Sequence, residues 1–172
     1  MYGPWSNHTG NHNALYPSSK QSQWEKSHLN MNAVANNWIK AGINRNKLVL
    51  SIAFHSLSFT LKDKNQHSTY SPVEGQLVGV LRYSEICSNY TDFTEVWDND
   101  QKSPYKYKDD QWFAYNSKEA VSIKGDYIKS KGFFGVNVWH LEDDDIHGVC
   151  GTKQVLLKYL HEGLGNKVNF GN

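Results

Sequence analysis

The sequence predicts an α/β protein in which helix–strand units enclose a small antiparallel block. Two apolar runs, residues 47–54 and 133–139, are typical of buried parallel strands, and each follows a segment with helical periodicity. Residues 55–116 instead carry short alternating and aromatic runs separated by polar turns, which indicates antiparallel strands. Because helix, short loop and buried strand make half of a β/α repeat, the chain predicts an α/β architecture with an insertion.

The N-terminal part is predicted to be an exposed loop followed by a helix. Residues 1–28 are rich in Asn, Ser, His and Gly, which is typical of an exposed loop. Leu29–Lys40 places its apolar side chains on one helical face. Either Ser27 or Asn30 can cap the start of this helix, and Gly42 stands where a C-terminal glycine belongs.

The antiparallel block is predicted from alternation and from one turn. Lys62–Ser71 is polar and predicts a turn region, and Asp109-Asp110 separates two aromatic runs as the turn of a hairpin. The carboxylates of residues 92–100 are predicted to lie in a solvated loop. The predicted strands of the block are Ser58–Leu61, Gly79–Cys87, Tyr105–Lys108 and Gln111–Tyr115.

The second helix–strand unit follows the block. Ser117–Ser130 regains helical periodicity, with Ser117 as the predicted N-cap and Gly132 as the stop. The strand at residues 133–139 comes next, and Gln154–His161 is predicted to be a final helix. Residues 164–172 are rich in Gly and Asn and are predicted to form a flexible tail.

Charge and hydropathy exclude several classes of partner. The 172 residues carry 18 Lys+Arg and 17 Asp+Glu, a formal charge of +1, which gives no electrostatic basis for binding nucleic acid or an anionic membrane. No segment approaches the roughly 18 apolar residues of a membrane span, and the first residues lack the features of a signal peptide. We therefore expect neither a nucleic-acid nor a membrane partner.

The cysteines and two short motifs indicate an extracellular protein. Cys87 and Cys150 are the only cysteines and could form either a bridge or two unrelated buried thiols. Asn7 and Asn89 each begin a match to the N-glycosylation acceptor pattern. Together these features favour a secreted protein whose leader is missing from the sequence.

The end of the second apolar strand carries the most informative residues. Trp139 closes the strand and Glu142–Asp145 follows as an acidic loop, which is the layout of a sugar site at the top of a β/α barrel. The loop is predicted to be solvated, since it lacks the glycine turn and alternating oxygens of a calcium loop. His55, His140 and His147 fit no zinc spacing, so no metal and no cofactor is predicted.

The order and spacing of several motifs indicate a resemblance to a known family. They are Gly3-Pro-Trp5, Lys47–Ala53 with Ser58–Leu61, Tyr83–Cys87, Gly135–Trp139 with Asp143-Asp144, and Gly148–Gly151. In this order and spacing the chain resembles the C-terminal part of family 18 glycoside hydrolases, which comprise chitinases and chitinase-like lectins. The resemblance covers nearly the whole length.

The resemblance implies an architecture. Residues 1–54 and 117–163 would form a partial (β/α)8 TIM barrel, with the last strands and helices, and residues 55–116 the inserted α+β antiparallel domain of chitinases. Cys87 and Cys150 align with a disulfide of the family.

The resemblance also implies sugar-binding residues. Trp139 is similar to a Trp that floors a subsite for N-acetylglucosamine, and Trp5 is similar to a Trp on the leaving-group side of the cleft. Trp112 and Tyr115 could either stack on sugar or form the core of the hairpin. The remaining tryptophans considered are assigned to packing: Trp24, Trp38 and Trp97.

The catalytic acid of the family is missing from these residues. The family protonates the glycosidic oxygen with the last residue of a D-x-x-D-x-D-x-E run, and no such run occurs here. Leu57 and Leu77 stand where the family often carries Arg and Glu, and no residue is predicted to be catalytic.

Three functions remain open from the sequence. The first is a non-hydrolytic chitinase-like fragment that binds chitin or N-acetylglucosamine oligomers weakly. The second is the C-terminal half of an active secreted chitinase. The third is a secreted growth-factor or structural module without a sugar role.

Overall fold

The fold of this chain, obtained as a computed structural model, is described for residues 2–3, 5–76 and 79–166. The strands of these residues are β1 (Val49–Ala53), β2 (Leu57–Leu61), β3 (Val73–Gln76), β4 (Thr94–Asp98), β5 (Ser103–Lys108), β6 (Gln111–Ala114) and β7 (Gly135–Trp139). The α-helices are α1 (Gln23–His28), α2 (Met31–Lys40), α3 (Tyr83–Asn89), α4 (Lys118–Ser130) and α5 (Val155–Gly163). Short 3-10 turns occupy Arg45–Lys47 and Leu141–Asp143.

Strands β1 and β7 pair in parallel. Their register runs from Val49 opposite Gly135 to Ala53 opposite Trp139, so both carboxyl ends lie at the same edge. The two apolar runs are therefore strands, as the sequence predicted, but they are not covered on both faces. Leu50 is buried while Val49 is 49% exposed, because among the described residues each strand has only the other as a neighbour.

The antiparallel block is a separate sheet with the order β3-β2-β6-β5-β4. The predicted hairpin is present: β5 and β6 pair with Tyr107 opposite Trp112, and Asp109 in the turn has a φ of 51°. All the strands of this sheet lie within residues 57–114, inside the predicted insertion. Its buried core is formed by Tyr2, Phe59, Leu61, Val73, Tyr105, Trp112 and Ala114.

Two predictions within the block are wrong. Gly79–Cys87 is not a strand: residues 83–89 form α3, which buries Tyr83 and Ile86 one turn apart. Its first turn is fixed by the Arg82 N–H, which donates to Glu85 at 2.7 Å. The acidic stretch at residues 92–100 is not a loop throughout, because β4 forms within it and pairs with β5.

The N-terminal segment is also unlike the predicted exposed loop. Thr9, Asn11 and Leu15 are buried, because their polar groups find partners far along the chain. The Thr9 N–H donates to Ser71 O at 2.9 Å, and the Asn11 side chain donates to Gln101 at 2.9 Å. The segment further contains α1, so polar composition alone misjudged its environment.

The predicted helices are confirmed with small shifts of their ends. Asn30 rather than Ser27 caps α2, accepting from the Ala33 N–H at 2.8 Å, and Ser117 caps α4. Two of the tryptophans assigned to packing are exposed, however: Trp24 by 61% and Trp38 by 55%. Trp97 is half-buried.

The main hydrophobic core lies between β1 and the helices α2, α4 and α5. Val121 and Ile128 of α4 and Leu156 and Leu160 of α5 are fully buried in it. Helices α4 and α5 approach so closely that a Cβ on Gly125 would lie 2.8 Å from the Leu160 carbonyl oxygen. Among the described residues, none of the helices combines the length and hydropathy needed to cross a bilayer.

Candidate functional site

The candidate site is built at the carboxyl edge of β1 and β7. Because the strands are parallel and in register, the residues that follow each strand meet there. The Phe54 N–H donates to Trp139 O at 3.0 Å, and the Nδ1 atom of His55 lies 3.1 Å from the same oxygen. The N-terminal segment crosses beneath this edge, where the Asn13 side chain accepts from the Ala53 N–H at 3.3 Å.

Four aromatic rings form a row along this edge, which we call the aromatic row: Trp139, His140, His55 and His12. The ring centroids of Trp139 and His140 are 4.0 Å apart, and those of His140 and His55 are 6.2 Å apart. His12 stacks on His55 with centroids at 5.4 Å. The peptide bond between Trp139 and His140 is cis. Neighbouring rings are tilted by 30–39° to one another, so the row is a set of adjoining faces and not one flat surface.

The two tryptophans implied to bind sugar are both exposed. Trp139 is 55% exposed at the end of β7, and Trp5 is 76% exposed in the N-terminal turn. The six-membered ring of Trp5 lies over Gly3, where a Cβ would come within 2.6 Å of it. The structure thus presents both indoles to solvent on different elements, and their role in sugar binding stays a prediction.

Trp112 and Tyr115 are not exposed to solvent. Trp112 is fully buried between Phe59 and Tyr105 in the core of the antiparallel sheet, and its Nε1–H donates to His67 O at 3.0 Å. Tyr115 is 4% exposed and its hydroxyl donates to Glu95. Of the two alternatives left by the sequence, the burial of both side chains favours core packing over stacking on sugar.

The acidic segment after Trp139 is not the solvated loop that the sequence predicted. Asp144 is 1% exposed, and its oxygens accept from the N–H groups of Leu156 at 3.0 Å and Leu157 at 2.9 Å, in the first turn of α5. Burial raises the pKa of the Asp144 carboxyl above its usual value, against the effect of these donors. Asp145 is fully buried and accepts from the N–H groups of residues 148, 149 and 150. These two carboxylates hold the backbone that follows the site.

A buried polar group lies beneath the row. The Asn116 side chain donates to Asn13 Oδ1 at 2.8 Å and to Ala53 O at 2.7 Å, and accepts from Lys124 Nζ. Burial lowers the pKa of Lys124 to about 7. Burial, together with the nearby positive charges, lowers the pKa of His12 to about 3, so its ring is neutral at physiological pH.

The cysteines form the pairing that the resemblance implies. A disulfide joins Cys87 of α3 to Cys150, with their Cα atoms 5.8 Å apart, and it ties the helix of the antiparallel block to the loop after β7. Asn7 and Asn89 are exposed, as glycosylation acceptors must be, and their modification stays a prediction.

One cluster was missed by sequence reasoning. His55, His140 and Asp143 come together, with one potential ligand atom from each within 4.8 Å of the others. Their spacing along the chain matches no metal pattern, because the cluster depends on the pairing of β1 with β7. The available signal was positional: both histidines closely follow strands predicted to be parallel. The third histidine considered, His147, is exposed.

Comparison with known proteins places the chain in a family. The family model described as glycosyl hydrolases family 18 matches residues 1–144. An endochitinase of Manduca sexta is 33% identical over 182 residues, which cover 96% of this chain and 33% of that protein. The chain therefore belongs to family 18 of the glycosyl hydrolases.

Solved structures give the same result. The group IV chitinase of Ostrinia furnacalis superposes with a TM-score of 0.90 at 29% identity, covering 96% of this chain and 48% of that one. Human YKL-39, described as a pseudo-chitinase with retained chitooligosaccharide binding properties, gives 0.89 at 25% identity, covering 96% and 48%. The chain thus has the mixed α/β fold of these proteins and spans about half the length of the solved chains and a third of the Manduca relative.

Proposed function

We propose that residues 1–172 bind chitooligosaccharides at the exposed Trp139 end of the aromatic row without hydrolysing them. The observation that carries the proposal is Trp139, whose indole is 55% exposed at the carboxyl edge of two parallel strands. Its ring adjoins that of His140, which in turn adjoins that of His55, so the exposed indole belongs to a group of neighbouring rings and is not an isolated side chain. Membership of family 18 and the chitooligosaccharide binding retained by human YKL-39 make a chitooligosaccharide the favoured ligand.

The same comparison supports the proposed architecture. In it, β1 and β7 are strands seven and eight of a (β/α)8 barrel, whose active sites lie at the carboxyl ends of the strands. Residues 1–54 and 117–163 belong to this partial barrel, and residues 55–116 are the insertion domain. The proposed tail, residues 164–172, lies largely outside the described residues, of which 166 is the last.

The absence of hydrolysis is proposed from chemistry. Substrate-assisted cleavage in this family needs a protein acid to protonate the glycosidic oxygen. Residues 1–172 contain no D-x-x-D-x-D-x-E run. Of the buried carboxylates near the row, Asp144 and Asp145 are already engaged by backbone donors. Leu57 offers no hydrogen bond where the family often has Arg, and Leu77 lies outside the described residues.

An extracellular location is part of the proposal. The disulfide between Cys87 and Cys150 supports it, because disulfides persist in oxidising compartments. The exposed acceptor residues Asn7 and Asn89 support it further. Trp5 is proposed as a second stacking residue on the same grounds as Trp139, its exposure and its position in the family pattern.

Retention on chitin beads tests the binding proposal. Trp139→Ala should abolish the retention of purified residues 1–172, because it removes the stacking surface. The matched control is Trp38→Ala, since Trp38 is also 55% exposed but lies on α2. Equal retention of the unaltered chain and Trp139→Ala would contradict the proposal, and so would a loss of retention in both variants. No retention of the unaltered chain would favour a module without a sugar role.

A second candidate function is hydrolysis by a longer polypeptide that includes these residues. It is favoured by length, since the matched solved chitinase chain is about twice as long and the Manduca endochitinase about three times as long. The transcript upstream of codon 1 decides between the two. A continuous reading frame that encodes D-x-x-D-x-D-x-E would favour the longer enzyme, and an in-frame stop codon would exclude it.

A further inference from the structure

The cluster of His55, His140 and Asp143 shares two rings with the aromatic row, but it carries an inference whose test does not require sugar binding. We propose that these side chains form a site for a divalent transition-metal ion, with zinc as the preferred ion. Two imidazoles and one carboxylate are ligands that zinc takes readily, and three protein ligands leave a coordination position open to water.

The distances between the ligand atoms fit such a site. The Oδ2 atom of Asp143 lies 3.3 Å from His140 Nδ1 and 3.6 Å from His55 Nδ1. Ligands about 2.1 Å from a tetrahedral zinc ion are separated by roughly 3.4 Å. The potential ligand atoms of all three residues lie within 4.8 Å of one another. The arrangement therefore needs only small side-chain adjustments to close around an ion.

The surroundings hold the ligands in place and leave a route for entry. Asp143 is 11% exposed in its side chain, and its Oδ2 accepts from the His140 N–H at 3.1 Å, which fixes the turn that carries both residues. His140 is 42% exposed in its side chain, so an ion can reach the cluster from solvent. Arg82 approaches Asp143 through the other oxygen, Oδ1, at 4.0 Å. Oδ2 therefore remains directed at the histidines.

A second observation concerns His12, which adjoins the cluster. Its ring stacks on His55, it is 8% exposed, and neither of its nitrogens makes a hydrogen bond of ordinary geometry. The nearby His55 backbone is a weak partner at most. Burying an imidazole whose nitrogens lack hydrogen-bond partners costs free energy. At this position the ring packs against one face of His55 and restricts its orientation.

The same contacts have a metal-free interpretation, in which the cluster is a hydrogen-bonded triad. His55 Nδ1 would then donate to Trp139 O at 3.1 Å, and His140 Nδ1 would donate to Asp143. Metal binding instead requires both Nδ1 atoms to be unprotonated, with the proton on Nε2. The two interpretations therefore differ in the tautomer of both histidines and in affinity for the ion.

Metal titration distinguishes them. Residues 1–172, freed of metal with a chelator, are titrated with Zn²⁺ by calorimetry and with Co²⁺ by visible absorption. We expect one ion per chain, and a loss of affinity of about tenfold or more in His55→Ala, His140→Ala and Asp143→Asn. The control His147→Ala removes an exposed histidine outside the cluster and should leave affinity unchanged.

Several results would overturn the proposal. They are the absence of saturable binding up to about 1 mM Zn²⁺, unchanged affinity in His140→Ala, and equal weakening in His147→Ala. If His55→Ala or Asp143→Asn fails to fold by circular dichroism, His140→Ala decides, since its side chain is 42% exposed. Long-range ¹H–¹⁵N spectra add a direct readout: Zn²⁺ should shift Nδ1 of His55 and His140, and a spectrum unchanged by Zn²⁺ would refute the site.

Discussion

The Nζ atom of Lys124 donates a hydrogen bond to the Oδ1 atom of Asn116, and both side chains are buried in the core beneath the aromatic row. Asn116 also bonds Asn13 and the backbone of Ala53, so the amide is fixed from several sides. The Lys124 ammonium group faces a neutral partner, and its burial lowers the pKa of Lys124 to about 7. The pair therefore links stability to pH.

Stability should rise with pH between about 7 and 9. The pKa of Lys124 is about 7 in the folded chain and near its ordinary value of 10.5 when unfolded, so the unfolded chain binds more protons across this interval. The free energy of unfolding then increases by up to about 1.4 kcal/mol per pH unit. Urea unfolding at a series of pH values measures the slope.

Two variants control this prediction. Lys124→Met keeps most of the side-chain volume and removes the titrating group, so its slope should be nearly flat. Asn116→Asp supplies a carboxylate that favours the charged amine, so it should also flatten the slope. A Lys124→Met variant with the slope of the unaltered chain would show that another group is responsible.

Replacing Asp144 should lower the free energy of unfolding more than replacing its exposed neighbour Glu142. Asp144→Ala leaves the N–H groups of Leu156 and Leu157 without their acceptor, at the start of a helix whose Leu156 side chain is fully buried. We expect the free energy of unfolding to fall by about 2–4 kcal/mol. Urea unfolding of Glu142→Ala, which removes a carboxylate from solvent, should show a change below about 0.5 kcal/mol. Equal effects of the two substitutions would contradict the account of the acidic segment.

The disulfide should contribute several kcal/mol. Cys87 and Cys150 are separated by 63 residues, and closing a loop of that length stabilises the folded chain by about 4 kcal/mol in the chain-entropy model. Unfolding with and without a reductant measures the loss, and the double variant Cys87→Ser, Cys150→Ser should be as unstable as the reduced chain. Insensitivity of the unaltered chain to reductant would argue against the bond.

The elements that were predicted correctly depend on local patterns. The hairpin of β5 and β6 follows from two aromatic runs around Asp109-Asp110, and α4 follows from its periodicity and the Ser117 cap. Residues 83–89 were misassigned because the helix is set by the burial of Tyr83 and Ile86 and by a bridge to Cys150. Such long-range partners leave no periodic trace in a short segment.

The site was predictable only in part for the same reason. The end of the second apolar strand pointed to Trp139, which is exposed, while its role in sugar binding stays a prediction. The burial of Asp144 and Asp145 could not be foreseen, since their partners are backbone N–H groups that any sequence provides. His55 and His140 are brought together by strand pairing, which the sequence predicts only as a parallel neighbourhood and not as a register.

The most direct test of the central claim is a single sample of purified residues 1–172 mixed with chitotetraose. Tryptophan fluorescence reports binding in this sample, and mass spectrometry of the sugar reports its fate after prolonged incubation. We predict a saturable fluorescence change that is lost in Trp139→Ala, with the tetramer recovered intact. Shorter oligosaccharides released by the unaltered chain, or no fluorescence change at any sugar concentration, would contradict it.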